Sequence, residues 1–470
     1  MRVLVVFGGT SAEHDVSMSS GWAVVRGALE AGHRVVAAHI DRSGSWRAEE
    51  VRAPVGPSPL PLGWPSANPW DLLTSADGRP DVVMAVLHGP VGEDGAIVAL
   101  ARLADVAVVG AGLASSAVCL DKTFTADVLD ARGIAQARWL EIQPGTSPPS
   151  YAEAVDRLGA TALFVKPANL GSSIGISRVG DDAQWADALA EASGYDDTLI
   201  VEAAVDGREL SVSIIGNRAE GYEVSEPSET RPHGSFLDFD DKYGSDAAMA
   251  IVPAELDPTT RRRVRELGPR VARALRVDGL VRVDLFLTPT GDLLVNEVNT
   301  MPGFTAESTF PRMWAASGLD FPRLVDRLLE LARRRHADTG ARTGARTGAH
   351  TGARAGSAAG GITVRDATEA DWARIGELTV AAYAAVPGRP SLPDYDRRLA
   401  DTASRAQRLS LLVAEDGGGR VVGTVGYSLV EGTDGRVGRA RQVAVDPGCK
   451  GLGIGRALME RAMLRLGEAG

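Results

Sequence analysis

An arginine, two carboxylates and an amide recur at short spacing in one stretch of the chain, VRVDLFLTPTGDLLVNEVNT, residues 281–300. Apolar and polar residues alternate on both sides of a Pro/Gly turn, which predicts two antiparallel strands. Such a hairpin would set Asp284 near Glu297 and Asn299 on one face. Oxygen ligands of this kind suit Mg²⁺, which usually shares its coordination shell with substrate phosphates. We therefore predict a magnesium site beside Arg282. A solvated face of an ordinary hairpin is the alternative.

The alternation also assigns side chains to faces, because residues two apart in a strand point the same way. The first strand should present Arg282, Asp284 and Phe286 together and turn its valines and leucines the other way. The same rule predicts two rows on the second strand: Leu293, Val295, Glu297 and Asn299 in one, and Leu294, Asn296 and Val298 in the other.

A second candidate site follows the strand predicted at residues 163–166, in the loop PANLGSSIGISRV. Small residues let several backbone amides approach phosphate oxygens, with Lys166 as a point charge beside them. The small residues are Pro167, Gly171, Ser172, Ser173 and Gly175. The loop is not a Walker A loop, whose Gly-Lys-Ser/Thr lies at the other end of the glycines. A Gly/Ser turn without function is the alternative.

Four further polar residues lie where predicted strands end or begin. Glu13 follows the first strand of a βαβ unit, made of a strand at 3–7, a helix at 16–31 and a strand at 34–40, and His88 follows a strand at 81–87. Open α/β sheets bind ligands at the carboxyl ends of their strands, which makes both residues candidates for substrate contacts, with helix capping as the alternative. The loop GGTSAEHD lacks the G-x-G-x-x-G spacing, which excludes nicotinamide or flavin binding there. Glu202 and Glu209 could hold a ribose or an adenine amino group, or be solvated loop acids.

The 470 residues are too many for one core and predict about three or four units of ordinary size. Apolar residues make up 44%, and no apolar run approaches the roughly 18 residues that a membrane-spanning helix needs. A net charge of −11 argues against nucleic-acid binding as the main function. Cys119 and Cys449 have no metal-ligand or disulfide spacing. These features favour a cytoplasmic globular protein.

Residues 333–361, which repeat a Gly-Ala-Arg-Thr theme, interrupt every periodic pattern and predict a flexible linker. The chain is thereby divided into a long first part and a shorter part, residues 362–470.

The motifs of the first part, in their order, resemble the ATP-grasp fold, and more specifically the D-alanine:D-alanine ligases. The motifs are FGGTSAEHDVS, LHGPVGEDG, DKTFT, VKPANLGSSIGIS, FDDKYGSD and NEVNTMPGFTAES. The resemblance covers residues 1–332 and implies a mixed α/β and α+β architecture. A Rossmann-like parallel-sheet domain is expected at 1–115 and a two-lobed ATP-grasp domain at 116–332.

Carried over motif by motif, the resemblance implies roles for individual residues. Glu13 would hold the ammonium of the first D-alanine, with His88 as a further substrate contact, while Ser172 and Tyr243 would link a mobile loop over the site. ATP would be bound by Lys122, Lys166, Ser173, Glu202, Glu209 and Lys242. Asp284, Glu297 and Asn299 would hold two Mg²⁺ ions, for which Mn²⁺ can substitute. Arg282 and the Gly303 amide would form an oxyanion site, and Ser308 would receive the carboxylate of the second D-alanine.

The implied reaction transfers the γ-phosphoryl group of ATP to one D-alanine and then joins the second D-alanine by its amine. An acyl phosphate must be protected from water, and we expect the Gly/Ser/Asp-rich segment 232–246 to form a lid. The Lys242–Tyr243 pair favours an amine over D-lactate as the nucleophile, since relatives that make the depsipeptide lack it.

The last part of the chain ends in RQVAVDPGCKGLGIGRALMERAMLRL, a predicted strand, Gly-rich turn and helix whose amides could bind a pyrophosphate. It resembles the acetyl-CoA loop of GNAT-type acetyltransferases, with Lys450, Gly451, Gly453 and Gly455 at the matching positions. Lysine replaces the usual Arg or Gln, and the sequence stops at Gly470 before the elements that complete the family's acyl-CoA cleft. We expect an incomplete GNAT-like α/β domain without acetyltransferase activity.

The sequence therefore predicts a cytoplasmic, ATP-dependent ligase that makes D-alanyl-D-alanine for peptidoglycan, acts on small molecules and forms a homodimer, as is usual in that family. It predicts no nucleic-acid or membrane partner. Two alternatives stay open: an ATP-grasp ligase for another amino acid pair, and a ligase that its CoA-binding tail regulates.

Overall fold

A computed structural model describes residues 1–53, 63–75, 78–231, 249–349, 362–385, 393–432, 435–449 and 453–468. The chain divides into two compact units, Met1–Asp338 and Thr339–Gly470. Within the described residues, no helix has the length and apolar composition needed to cross a bilayer.

The first unit opens with a mostly parallel sheet. Its elements are β1 (Arg2–Gly8), α1 (His14–Glu30), β2 (Arg34–Ile40), β3 (Trp46–Val51), α2 (Pro69–Thr74), β4 (Val82–Ala85), α3 (Ala96–Leu103) and β5 (Ala107–Val108). The strand order is β3-β2-β1-β4-β5, and only the β2–β3 pairing is antiparallel. Alternate residues of β1 enter two apolar layers, with Val5 packed in the layer of α1 and Val6 in that of α3. Both faces of the sheet are thus covered, as the predicted βαβ unit requires.

A small antiparallel sheet follows. Its elements are α4 (Leu113–Leu120), α5 (Lys122–Ala131), β6 (Trp139–Ile142), α6 (Tyr151–Leu158), β7 (Leu163–Pro167), β8 (Ser177–Val179), α7 (Asp182–Ser193) and β9 (Leu199–Ala203). The strands run in the order β6-β9-β7-β8. Helices α6 and α7 cover one face through a core that includes Leu158, Val165 and Trp185.

The next sheet contains the hairpin that the sequence predicts within residues 281–300. Its elements are β10 (Arg208–Asn217), β11 (Gly221–Val224), β12 (Ser228–Arg231), β13 (Met249–Ile251), α8 (Pro258–Ala274), β14 (Gly279–Leu287) and β15 (Leu293–Asn299). The main order is β13-β12-β10-β14-β15, with β11 paired to β10. Helix α8 packs Val264 against the face of the sheet that includes Val212 and Val283.

One feature of this hairpin differs from the sequence prediction. Asp284 pairs with Glu297 as expected, but Leu285 pairs with Val295, so Asn296 is an extra residue in β15. The bulge reverses the alternation, because a residue without an opposite partner shifts the faces of those beyond it. Val298 therefore enters the core together with Leu293 and Val295, and the prediction that Val295, Glu297 and Asn299 share a face was wrong.

Two helices follow, α9 (Thr309–Ala316) and α10 (Phe321–Ala349), and the first unit ends within α10 at Asp338. Helix α10 packs Leu324 and Leu328 into the core of the N-terminal sheet, and it continues into the segment for which the sequence predicts a flexible linker. Near the start of that segment, Arg335 donates hydrogen bonds to the carbonyl oxygens of Gly110 (2.8 Å) and Val108 (2.7 Å). These contacts explain why the helix does not end at residue 332.

The second unit contains an antiparallel sheet in the order β16-β17-β18-β19. Its elements are β16 (Thr363–Asp366), α11 (Trp372–Ala384), α12 (Pro393–Ala400), α13 (Thr402–Ala406), β17 (Ser410–Glu415), β18 (Val421–Gly432), β19 (Gly435–Val445) and α14 (Ile454–Glu468). Helix α14 packs Ile454, Leu458 and Ala462 against β17 and β18.

Candidate active site

A cavity of about 730 Å³ in the first unit collects the predicted site residues. Its walls come from the loops after β1 and β4, the loop after β7, strands β9, β10, β14 and β15, and the segment before α9. The predicted residues that line it are Glu13, His88, Lys122, Lys166, Ser172, Ser173, Glu202, Glu209, Arg282, Asp284, Glu297, Asn299, Gly303 and Ser308. Lys242, Tyr243 and the predicted lid lie outside the described residues.

Glu13 and Ser172 meet across the cavity although 159 positions separate them in the chain. The Ser172 hydroxyl donates a hydrogen bond to the Glu13 carboxylate, and both side chains are buried. Ser172 and Ser173 adopt left-handed backbone conformations, with φ values of 53° and 59°. Residues with a Cβ rarely adopt this conformation, so the loop is held in a strained shape that turns these serines toward the cavity.

Lys166 and Glu202 form an ion pair on adjacent strands. Their side-chain nitrogen and oxygen lie 2.5 Å apart, and the Lys166 ammonium also lies 5.7 Å from the centre of the Phe164 ring. Burial opposes the charge on Lys166, but Glu202 and more distant carboxylates outweigh it and raise the pKa of this lysine. Lys166 is therefore a fixed positive charge on the cavity wall.

Lys122 adds a second positive charge near the acidic hairpin. Asp121 caps the start of α5 through the backbone amides of Thr123 and Phe124, which places Lys122 in the first turn. The ammonium donates to the Leu170 carbonyl oxygen and lies 3.7 Å from a Glu297 oxygen. It thus links the small-residue loop to the predicted metal ligands.

Asp284, one of the predicted metal ligands, accepts hydrogen bonds from three side chains. Its carboxylate accepts two hydrogen bonds of 2.7 Å from the Arg282 guanidinium, one of 2.7 Å from the Ser211 hydroxyl and one of 2.8 Å from the Asn299 amide. Because Asn299 donates through its nitrogen, its carbonyl oxygen is the atom available to a cation. The opposed Glu297 completes an all-oxygen donor set on the cavity wall.

Oxygen ligands of this kind suit hard divalent cations such as Mg²⁺ and Mn²⁺. Among the residues that the structure describes, no group of three or more His, Cys, Asp or Glu side chains is placed to hold a metal ion. Two carboxylates and an amide are few ligands, but Mg²⁺ commonly keeps several waters and completes its shell with substrate phosphates. The cavity beside Asp284 leaves room for such a partner.

Glu93, in the loop between β4 and α3, lines the cavity but was not predicted from the sequence as a site residue. It accepts a 2.8 Å hydrogen bond from the Gly89 amide, while the nearby His88 bonds the Met301 carbonyl oxygen at 3.0 Å through Nδ1. Burial and then the charge of Glu13 raise the pKa of Glu93 to about 8. Burial also acts on His88, but it lowers the pKa of this residue, so that the ring favours its neutral form. Glu93 lies in the quoted motif LHGPVGEDG, five residues after His88, and that proximity was the available signal.

The segment before α9 brings the last two predicted residues together. The Thr305 amide and hydroxyl bond the Ser308 hydroxyl at 3.1 and 2.8 Å. A Cβ on Gly303 would lie only 3.1 Å from that hydroxyl, which explains a glycine at this position. Ser20 of α1 accepts a 3.1 Å hydrogen bond from the Phe304 amide and anchors the segment to the N-terminal sheet.

Comparison with known proteins identifies the family. The models "D-ala D-ala ligase N-terminus" and "D-ala D-ala ligase C-terminus" match residues 2–111 and 128–330. D-alanine–D-alanine ligase A of Salmonella typhimurium (strain LT2) is 34% identical over 359 residues, which cover 73% of this chain and 98% of the relative. The chain belongs to the D-alanine–D-alanine ligase family. A D-alanine–D-alanine ligase of Solibacter usitatus is 38% identical over 337 residues, covering 72% of this chain and 96% of the relative.

Solved structures of the D-alanine–D-alanine ligase family agree with this assignment. The enzyme from Coxiella burnetii aligns with a TM-score of 0.60 and 31% identity, over 72% of this chain and 97% of that one. A D-Ala:D-Ser ligase from Enterococcus faecalis aligns with a TM-score of 0.58 and 28% identity, over 70% and 99%. The match to family members over nearly their whole length confirms the predicted fold class of the first unit.

Outside the ligase region, residues 372–470 match the model of the acetyltransferase (GNAT) family, which confirms that resemblance as well. Of the predicted CoA loop, Lys450 and Gly451 lie outside the described residues. Gly453 has a φ of 74° and is exposed, and Gly455 lies in the first turn of α14. The domain boundaries and the inactivity of this segment stay predictions.

Proposed function

We propose that the chain joins two D-alanines to D-alanyl-D-alanine at the expense of ATP, in the cytoplasm and for peptidoglycan synthesis. The observation that carries the proposal is the single cavity in which two lysines, an acidic hairpin and the Glu13–Ser172 pair converge. The family membership supports the same reaction. We also propose that the chain forms a homodimer, as is usual in this family.

Asp284, Glu297 and Asn299 would hold Mg²⁺ or Mn²⁺ together with the nucleotide phosphates. The bound cation would neutralise charge on the phosphates as the γ-phosphoryl group moves. Lys166 and Lys122 would contribute positive charge to the phosphates, with Lys122 beside Glu297, and Glu202 and Glu209 would receive the adenosine. Lys166 is paired with Glu202 in the structure. A bound phosphate group would therefore replace part of that ion pair as the partner of Lys166.

The first D-alanine would bind by its ammonium to Glu13, whose orientation Ser172 fixes. Its carboxylate oxygen attacks the γ-phosphorus, the bond to the β-phosphate oxygen breaks, and D-alanyl phosphate and ADP result. The protonated form of Glu93 limits repulsion against these anions, because it adds no negative charge to the site. Water exclusion is then needed, because an acyl phosphate hydrolyses readily.

The second D-alanine would bind by its carboxylate to Ser308 and attack the acyl phosphate with its amine. Negative charge develops on the carbonyl oxygen, and Arg282 with the Gly303 amide would donate to it. One fixed donor of this kind is typically worth roughly 3 kcal/mol of barrier. Two of the five N–H donors of Arg282 are bonded to Asp284 in the structure, so the oxyanion would be met by another N–H or by a turn of the guanidinium away from Asp284. Loss of phosphate then leaves the dipeptide.

The decisive experiment measures phosphate release from ATP and Mg²⁺ with D-alanine, beside L-alanine, D-serine and D-lactate. Release that requires D-alanine, yields the dipeptide and falls at least about 100-fold in Arg282→Ala supports the proposal. Arg327→Ala is the control, because Arg327 pairs with Glu223 outside the cavity. Turnover with another acceptor but not with D-alanine would overturn the cell-wall role and retain the ATP-grasp chemistry.

A further inference from the structure

The carboxylate of Asp284 is held by donors on three strands. One of these donors, Ser211, is not among the residues to which the proposed reaction gives a role. Arg282 lies on the same strand as Asp284, and Asn299 lies on the neighbouring β15. Ser211 lies on β10, directly opposite Asp284 in the antiparallel register, and its hydroxyl donates to Oδ1 at 2.7 Å. Ser211 is 9% exposed and lines the cavity.

All of the acceptor capacity of Asp284 is in use. An ionised carboxylate offers about four lone-pair positions, and four hydrogen bonds reach this one, two on each oxygen. A cation can therefore bind Asp284 only if a donor leaves. Arg282 is the donor with a long side chain and a second task, whereas Ser211 is short and fixed by the strand register.

Ser211 is the donor best placed to stay when the cation arrives. The terminal torsion of an aspartate is soft, so the carboxylate needs an external contact to keep its plane. Once Arg282 turns toward the oxyanion, the hydrogen bond on Oδ1 from Ser211 remains and leaves lone pairs for the cation. Partners of metal ligands commonly act in this way.

We propose that Ser211 is a positioning residue that orients Asp284 for the divalent cation bound with the nucleotide. The inference rests on the proposed ATP-dependent function, because it assigns Asp284 to that cation. The proposed role affects the affinity for the cation and does not depend on which amino acids are joined.

The test compares Ser211→Thr with Ser211→Val, which have the same shape and differ in the hydroxyl. Mn²⁺ is titrated into the full-length chain in the presence of saturating ADP, and free Mn²⁺ is followed by electron paramagnetic resonance. We expect Ser211→Thr to bind within about threefold of wild type and Ser211→Val to lose about 10- to 100-fold in affinity, the usual cost of removing a ligand's partner. In turnover, the apparent KM for the metal should rise more than kcat falls.

Ser213→Ala is the matched control, two residues along the same strand. Ser213 is fully buried on the same face of β10 as Ser211 but is not among the residues that line the cavity, and its hydroxyl contacts the Met313 sulfur at 3.9 Å. It should bind Mn²⁺ like wild type.

Equal Mn²⁺ affinity in the Thr and Val variants would overturn the role of Ser211. The role would also be overturned if Ser213→Ala lost as much Mn²⁺ affinity as Ser211→Val. Circular dichroism identifies a variant that fails to fold, and Ser211→Ala then replaces Ser211→Val. If wild type retains no Mn²⁺ with ADP, the proposed ATP chemistry fails along with the inference. If wild type retains Mn²⁺ but turns over no D-alanine, only the proposed substrate fails.

Discussion

At the scale of single residues, the Glu93 carboxyl has an environment with a measurable consequence. Its pKa is raised from 4.5 to about 8 by burial and by Glu13. Between these values the folded chain binds more protons at this position than the unfolded chain does. Its contribution to the free energy of unfolding therefore falls as pH rises from about 4.5 to about 8, and is constant above.

Glu93→Gln should remove this dependence, because glutamine resembles the protonated acid. At pH 5 the variant should be close to wild type, and at pH 8 it should be more stable by at least about 1 kcal/mol, since one unit in pKa corresponds to about 1.4 kcal/mol. Urea denaturation at several pH values measures the difference. Glu30→Gln, at an exposed position in α1, should show no such trend. Parallel curves for Glu93→Gln and wild type would contradict the raised pKa.

The Lys166–Glu202 pair allows structure and chemistry to be separated. Both side chains are mostly buried, with 13% and 16% of their area exposed. Lys166→Met leaves Glu202 without its partner and should reduce the free energy of unfolding by about 3 kcal/mol. Adding Glu202→Gln should restore most of that loss. The kcat/KM for ATP should stay at least about 100-fold down in both, because the phosphate contact is gone. Recovery of activity in the double variant would show that Lys166 is only structural.

Sequence alone identified most of the polar residues of the cavity, because they stand in motifs of distinctive order. Glu93 and Ser211 are among the polar cavity residues that it did not select. The raised pKa of Glu93 depends first on burial in the folded chain and then on Glu13, 80 positions away, and the role of Ser211 depends on its register with Asp284. Neither relation exists in a local stretch of sequence.

At the scale of elements, the hairpin shows where periodicity is sufficient and where it is not. The turn between β14 and β15 was predicted correctly, and Gly291 there has a φ of 85° and bonds the Thr288 carbonyl. The bulge at Asn296 was not predicted, because an extra residue leaves the polar and apolar composition of the strand unchanged. The consequence is functional, since the bulge directs Glu297 and Asn299 to the cavity while Val298 stays in the core.

The start of β14 provides a test of how tightly the two sheets are joined. Gly279 has a φ of 96°, and a Cβ there would lie 2.5 Å from the Gly110 carbonyl oxygen, after β5. Gly279→Ala should cost about 2–5 kcal/mol, the sum of backbone strain and overpacking. Gly291→Ala is the control, with φ 85° and open space around the Cβ, and should cost about 1–2 kcal/mol. Equal losses in urea denaturation would mean that the backbone near Gly110 moves freely to accommodate the methyl group.

At the scale of the whole molecule, the chain combines two compact units whose families are unrelated in chemistry. Composition predicts a break after the ligase region, with a linker that starts at residue 333, and the two compact units divide after Asp338. The structure shows a helix there, because Leu331 and Ala332 are buried and Arg335 reaches two backbone carbonyls of the N-terminal sheet. Low sequence complexity is a property of composition and does not report such contacts.

This difference leads to a prediction about truncation. A chain of residues 1–338 retains Arg335 and should keep the melting temperature of the first unit and a kcat/KM within about twofold of the full chain, since it contains every contact of that unit. A chain of residues 1–332 loses both hydrogen bonds of Arg335 and should be less stable by about 2 kcal/mol.

Arg335→Met in the 1–338 chain separates the loss of these hydrogen bonds from the loss of helix length. It should reproduce most of the destabilisation, since it removes the buried guanidinium while retaining the helix. If residues 1–338 are folded but inactive, the second unit is needed for ligation, and the alternative in which the GNAT-like unit regulates the ligase gains support. Titrating CoA against the phosphate-release rate of the full chain would then decide, because a regulatory unit requires that rate to depend on CoA and an independent unit does not.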